Sequence, residues 1–503
     1  MGGIDVFIGK RKLRDLPRNQ MKEPVFGIIL GGEGHNVVVS PSMAKSVYAF
    51  QGALPSPAVN QIMEKAFGDS GAVRGVDTAE LTALRQNVSS LFQREPFVTE
   101  VIKASIRRVE REIPCLVTFS RSVVDQMPWE RASEMAVPDT DPSVCEVNLF
   151  SLVRDFVAHL TTVGYMGEAI FEAFPNVLYD LWILGAHFPA MSRGGPRWLS
   201  PGLSAAHRAR DRLLSSLASF HAAFVAWDDG RDPGVKFRDL DDVSEPVKQR
   251  IRGLHKMGVS AAASAHIHLS FLWAMNGNIT NVIFWNLLRV YAEPSLLEEV
   301  RKEVTPHVKS FRPSREETGF PIEEQAQLHV DSHGLFNSCP LLKASLYETL
   351  RVDTAGVSLK ELNSDLTLTE SEDDAAGEGI KHPRAYKISK GDNITIPLGV
   401  LHNDPQHYSN PSQYDPLRFI TTDSNTDVKR TKMHTLKPFS GGVAGIRGCE
   451  IAEKECLLYV SAILSMWDVR PIGRTQLEVP GHASLTGSYL PNNDPRVRIR
   501  CRV

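Results

Sequence analysis

The N-terminal region of this chain has no apolar run approaching the roughly 20 residues that span a bilayer, which excludes a signal-anchor reading of what is present. The nearest candidate, VFGIIL at Val25 to Leu30, reads as a buried strand, and the chain is expected to carry no N-terminal membrane anchor. The six cysteines (Cys115, Cys145, Cys339, Cys449, Cys456, Cys501) form no CxxC pair, so free thiols in a reducing compartment are expected and a zinc site is not. Positive charge is not in excess: the formal net charge is −3, which argues against nucleic acid as a partner. Gly2 could suggest myristoylation, but Val6 stands where that signal requires Ser or Thr.

What is present is helical periodicity. After VFGIILGGEGHNVVVSPSMAKSVYAF, which alternates like a hairpin and then turns helical, the helical pattern runs to about residue 350. The stretch His266 to Val290, HIHLSFLWAMNGNITNVIFWNLLRV, is apolar nearly all round and predicts one long core helix. Its middle, Asn276-Gly277-Asn278, forms helix poorly. That predicts either a kink with satisfied amides or a groove wall facing a ligand, with Ala274 and Gly277 beside the asparagines. Asn363 to Gly379, acidic and Gly/Ala-rich, predicts a solvated loop or hairpin tip.

Four motifs then follow in a fixed order. Glu348 and Arg351 make an ExxR; alone it would be a surface ion pair worth tenths of a kcal/mol. It is followed by LHNDPQHY, by PSQYDPLRF at Pro411 to Phe419, and by KPFSGGVAGIRGCEIAEKE at Lys437 to Glu455, an FxxG loop leading into a helix. This succession resembles the cytochrome P450 superfamily along almost the whole chain. The resemblance implies a mainly α fold with small β-sheets (α+β), one P450-like domain over residues 1–503 and a buried charge network of Glu348, Arg351 and Arg418. FLWAMNGNITNVIFW resembles the distal helix of prostacyclin synthase and the sterol 7α- and 12α-hydroxylases. In ordinary monooxygenases of the family an acid and a threonine relay protons at the kink. Here Asn278 and Ile279 stand at those positions, and neither transfers a proton at neutral pH.

Aligning Phe439 and Gly442 with the family's loop puts Ile446 at the haem-ligand cysteine position, with Gly448, Ala452 and Glu455 in agreement downstream. Cys449 then falls three residues late, a helical displacement of about 4.5 Å and about 300°. Ala444 replaces the usual basic propionate partner, while Lys360 could still meet a propionate. On this reading the expected cofactor is none, the metal site is none and no redox partner is needed. The expected activity is a redox-neutral cyclisation or rearrangement of a hydrophobic terpenoid or polyketide-like intermediate, with a Diels-Alder-type [4+2] cycloaddition favoured and Asn276 and Asn278 as hydrogen-bond donors. The resemblance places Thr354, Ala355, Gly356 and Val357, and Leu485, Thr486 and Ser488, around the substrate pocket. The hydroxyls of Thr354, Thr486 and Ser488 could serve a ligand or cap local backbone. Two alternatives stay open: a haem-thiolate isomerase or monooxygenase using a displaced Cys449, and a non-catalytic binder of a hydrophobic ligand. His266, His268 and His402 are expected to be core or turn residues, and the protein to be cytoplasmic or peripheral at the endoplasmic reticulum.

Overall fold

A computed structural model of the chain describes residues 7–8, 11–12, 23–30, 33–56, 64–68, 78–313, 325–377, 379–422, 428–436, 448–485 and 487–503. Ile446 and Thr486, and with them Phe439, Gly442 and Ala444 of the loop, lie outside these residues. The architecture is predominantly helical with small sheets, as the periodicity predicts.

Strands β1 (Val25–Leu30) and β2 (Glu33–Val38) pair antiparallel as the expected hairpin. They belong to a five-stranded sheet that also holds β3 (Ala53–Pro55), β5 (Val357–Leu362) and β6 (Asn393–Pro397) in the order β1-β2-β6-β5-β3. β4 (Cys145–Asn148) belongs to a second sheet, described below. The expectation of a buried strand at Val25–Leu30 is corrected: β1 is an edge strand with one face in solvent, and Ile29 is 82% exposed. Asn363 to Gly379 is also more ordered than expected. It holds a strand and a short helix, and the carboxylate of Asp374 accepts from Ser40 Oγ (2.6 Å) and Ser42 N–H (3.0 Å), capping the helix at Pro41–Ala49.

The helices that position the site are α1 (Phe97–Glu112), α2 (Pro128–Ala132), α3 (Leu149–Met166), α4 (Ala169–Ala173), α5 (Val177–Ala186), α6 (Pro201–Asp228), α7 (Glu245–Lys256), α8 (Ala261–Asn276), α9 (Ile279–Ala292), α10 (Pro340–Val352) and α11 (Cys449–Met466). The largest core cluster lies where α9 packs on α3, α10 and α11, with Phe284, Trp285, Phe156 and Leu458 fully buried. The chain ends in β7 (Trp467–Pro471), a hairpin of β8 (His482–Leu485) and β9 (Tyr489–Pro491), and β10 (Arg496–Cys501); β7, β10 and β4 form a three-stranded sheet.

The single long helix expected over His266 to Val290 is two helices, α8 and α9, broken at Gly277-Asn278. The ladder holds up to Gly277, whose N–H still donates to Trp273 O at 2.7 Å, departs from helical φ at Asn278 (−120°), and resumes where Val282 N–H donates to Asn278 O at 3.0 Å. Neighbouring side chains bond to the carbonyls there. Thr280 Oγ1 donates to Asn276 O (2.8 Å) and Asn281 Nδ2 to Gly277 O (3.1 Å).

Glu348 and Arg351 are fully buried on α10 and joined by a two-pronged ion pair at 2.8 Å. Arg351 also donates to His402 O (3.0 Å) and Gln413 O (3.2 Å), and its guanidinium lies over the Tyr408 ring. Arg418 Nε and Asp415 N–H both donate to Glu348 Oε1, at 3.1 and 2.9 Å. Removing one member leaves a buried charge uncompensated. Glu348→Ala is therefore expected to cost about 3–5 kcal/mol in denaturant-unfolding stability; a loss below about 1 kcal/mol, the range of an exposed pair, would refute the assignment.

Candidate functional site

The break between α8 and α9 and the tip of the β8–β9 hairpin meet. Asn278 Oδ1 accepts from Ser488 N–H at 3.1 Å, and Ser488 Oγ accepts from Asn281 Nδ2 at 3.1 Å. Gly487, with φ of +113°, brings the turn so close that a Cβ would stand 2.5 Å from Asn278 Oδ1. Ala355 N–H donates to Gly487 O (3.0 Å), and Thr354 pairs with Ser488 as an isolated bridge. Thr354, Ala355, Gly487 and Ser488 thus assemble against the helix break; of the Leu485 side chain nothing is described.

The expected residues do not all converge. Asn276 is fully buried and turned toward α3, where its Nδ2 donates to Thr162 Oγ1 (3.1 Å) and to Leu272 O (3.1 Å), while its Oδ1 has no partner. Asn278, half-buried, faces the hairpin and leaves its Nδ2 uncommitted among the described residues. The two amides therefore cannot share one ligand carbonyl as a donor pair. Thr354 spends its hydroxyl on Leu350 O as a helix cap, and Gly356 gives its carbonyl to Leu398 N–H at 3.0 Å. Val357, half-buried, opens β5, and Ala355 is buried against Tyr489. Ala274 is exposed, and half-buried Gly277 and Asn278 follow it at helical spacing.

Residues missed in the sequence hold this arrangement. Asp353, fully buried, accepts from Arg289 Nη2 and from His482 Nε2, both at 2.8 Å, tying α9 and β8 to the end of α10. Trp285 Nε1 donates to Tyr489 O at 2.8 Å. Asn281 carried a usable signal: three residues beyond Asn278 it shares the same helical face.

Further along the chain, α11 begins at Cys449, preceded by Gly448 in the left-handed region at φ +102°. Cys449 is thus the first residue of an 18-residue helix and half-exposed, at the end whose backbone N–H groups have no intrahelical partner. The expected displacement of Cys449 by three helical residues is corrected, because Gly448 is not helical. Glu455, one turn and a half further on, accepts from Ser105 Oγ at 2.8 Å and fastens α11 to α1; burial raises its carboxyl above the usual range. Lys360, 4% exposed on β5, has no carboxylate partner among the described residues, and burial lowers its ammonium from the usual value. A thiol at a helix N-terminus and a buried cation awaiting an anion are a donor set that fits haem, whose iron takes a thiolate and whose propionates take a cation.

The model for Cytochrome P450 matches residues 248–495, which contain the helix break, the charge network and the α11 N-terminus. The chain belongs to the cytochrome P450 superfamily. Among curated relatives, "Cytochrome P450 monooxygenase poxD" of Penicillium oxalicum is 24% identical over 70% of this chain and 64% of its own length. The 5-beta-cholestane-3-alpha,7-alpha-diol 12-alpha-hydroxylase of Sus scrofa is 26% identical over 52% and 50%, and the prostacyclin synthase of Rattus norvegicus is 26% identical over 52% and 50%. The chain therefore spans about half to two thirds of the length of these P450 relatives. The structure of retinoic-acid-bound cyanobacterial CYP120A1 superposes with a TM-score of 0.60 at 16% identity, covering 96% of this chain and 93% of that one, which shows the fold.

These findings overturn the expectation that the site works without a cofactor. The family and its monooxygenase members depend on haem, and the residues at the α11 N-terminus and on β5 fit one. The expected cofactor-free [4+2] cycloaddition falls with it.

The histidines do not compete for this role. His268 and His221 are buried and share a hydrogen bond of 2.9 Å, and His402 is buried beside Arg351, while His266 is half-buried. Burial lowers His221 to about 4 and His402 to about 3, and His268 well below 6.5. The unfolded chain binds these protons near 6.5, the folded chain only at lower pH, so stability is complete above about pH 6.5 and falls as pH drops toward 4. Each histidine contributes a slope of up to about 1.4 kcal/mol per pH unit in that window. Chemical denaturation from pH 7.5 to 4.5 measures it; a flat profile, or one that His268→Asn does not flatten, refutes the account.

Proposed function

We propose that this chain is a haem-thiolate monooxygenase of a hydrophobic, lipid-like molecule, with Cys449 as the thiolate and Lys360 as a counter-charge for a haem carboxylate. The observation that carries the reading is the start of α11: Cys449 is the first residue of the helix, at the end whose backbone N–H groups have no intrahelical partner. Haem held there would supply activation of dioxygen. The named activities of the relatives, hydroxylation of a cholestane diol and synthesis of prostacyclin, support a sterol- or oxylipin-like substrate. A reductase would then be a partner. Among the described residues no helix is long and apolar enough to cross a membrane.

The chain's own residues orient the substrate rather than move protons. Asn278 offers an N–H donor from its uncommitted Nδ2, while its oxygen holds the hairpin through Ser488. Ile279 has no proton to give, and the hydroxyl of Thr280 is already donated to Asn276 O. This spent relay favours a second reading, in which the same site rearranges an already oxygenated substrate without net redox change.

Protein purified with haem supplied is expected to show a stoichiometric Soret band and a carbon monoxide complex near the thiolate position, both lost in Cys449→Ser. Lys360→Ala is expected to release haem about tenfold more readily, as loss of a buried charge partner would. A folded protein with no Soret band, or an unchanged spectrum in Cys449→Ser, refutes the proposal. Product mass then separates the readings: a gain of one oxygen with reductase, or an isomer of unchanged mass without it.

A further inference from the structure

A cavity lies away from the helix break. It occupies about 840 Å³ between α2, α3, α4 and α5, within the usual size of small-molecule pockets, and shares no wall residue with the break or the α11 N-terminus. Its walls are largely aromatic. His159 on α3 stacks on Phe171 of α4 at 4.3 Å with an interplanar angle of 21°, and lies 5.2 Å from the Trp129 ring. Trp182 of α5 contributes a further ring, with Arg154 lying over it at 4.7 Å.

The polar groups are unequally committed. Asp155 is spoken for, accepting from Arg154 Nε (2.8 Å) and from Trp182 Nε1 (3.0 Å). Arg154 is thereby neutralised. Arg131, exposed at the rim, donates to Gln126 O and has no carboxylate partner among the described residues. His159, although half-buried, makes no hydrogen bond there through either ring nitrogen; burial lowers its pKa, so the imidazole is neutral and carries one N–H donor and one acceptor. Stacking surfaces, one free imidazole within and one surplus cation at the mouth select a particular ligand chemistry.

We propose that this cavity is a second small-molecule site, for a flat hydrophobic ring system bearing one carboxylate: the rings pack against the half-buried Phe171 and Trp182, and the carboxylate reaches Arg131, with His159 as a hydrogen-bond partner. Offset stacking and cation attraction give such a molecule an advantage over a flexible aliphatic acid of equal size.

The test is equilibrium dialysis of 2-naphthoate against the full chain as purified. Saturable binding of one molecule at this site is expected, at least tenfold weaker in Ala186→Trp and in Ala132→Trp, which fill the cavity from two different helices, and kept in Ala186→Ser. Arg131→Ala is expected to weaken 2-naphthoate about threefold, as an exposed charge pair does, and to leave 2-naphthylmethanol unchanged. Melting temperatures identify which variants are folded, and two independent blocking positions keep the test decisive if one is not. Absence of saturable binding, binding that survives in a folded cavity-filling variant, or equal losses of acid and alcohol in Arg131→Ala overturns the proposal.

Discussion

The buried ion cluster of Glu348, Arg351 and Arg418 is the constraint on which the rest depends. Two guanidinium groups and one carboxylate leave water only because every strong donor and acceptor is met: Glu348 by Arg351, Arg418 and a backbone N–H, Arg351 by two carbonyls and an aromatic face. The cluster joins α10 to the irregular chain from His402 to Arg418. It thereby fixes where that chain passes beneath the core. The end of α10 in turn sets Asp353, which holds α9 through Arg289 and the C-terminal hairpin through His482. One ion cluster and one buried aspartate thus register three elements against each other, and the seam between helix break and hairpin is the product.

That seam explains why asparagine at the break is compatible with an ordered site. A helix break exposes carbonyls that a continuous helix would satisfy. Here hydroxyl and amide side chains from the following turn bond to two of them, and Asn278 turns its own oxygen to the hairpin backbone. The residue is thus used first as a structural acceptor, and only its amide nitrogen remains for chemistry. Asn276 shows the converse. Its donors are satisfied, but its oxygen is buried without a partner, a cost of about 1–3 kcal/mol carried within the core.

Much of this was legible in the sequence because the motifs encode backbone registers. ExxR, the HxDP turn and the Pro/Tyr/Arg/Phe run stand in the order in which the buried ion cluster brings them together, and Gly277 between two asparagines marks a break in an otherwise apolar helix. What sequence could not supply was direction. Two asparagines two residues apart suggest a pair, yet a rotation of about 200° along a helix sends them to different neighbours, one to Thr162 and one to Ser488. The exposed face of β1 was hidden for a related reason: VFGIIL is apolar at almost every position, so no alternation reveals which side meets water.

The thiol illustrates how a spacing argument depends on an assumed helix start. Counting three residues past Ile446 implies most of a helical turn, but only if those residues are helical. Gly448 lies in the left-handed region and is not helical, so the helix begins with Cys449 itself. A side chain at that first position meets the free N–H groups of the helix, whereas one three residues later would face the satisfied interior of the helix. The same residue count therefore corresponds to two different electrostatic environments. The choice between them is made by a single glycine φ angle, not by the number of residues in the loop.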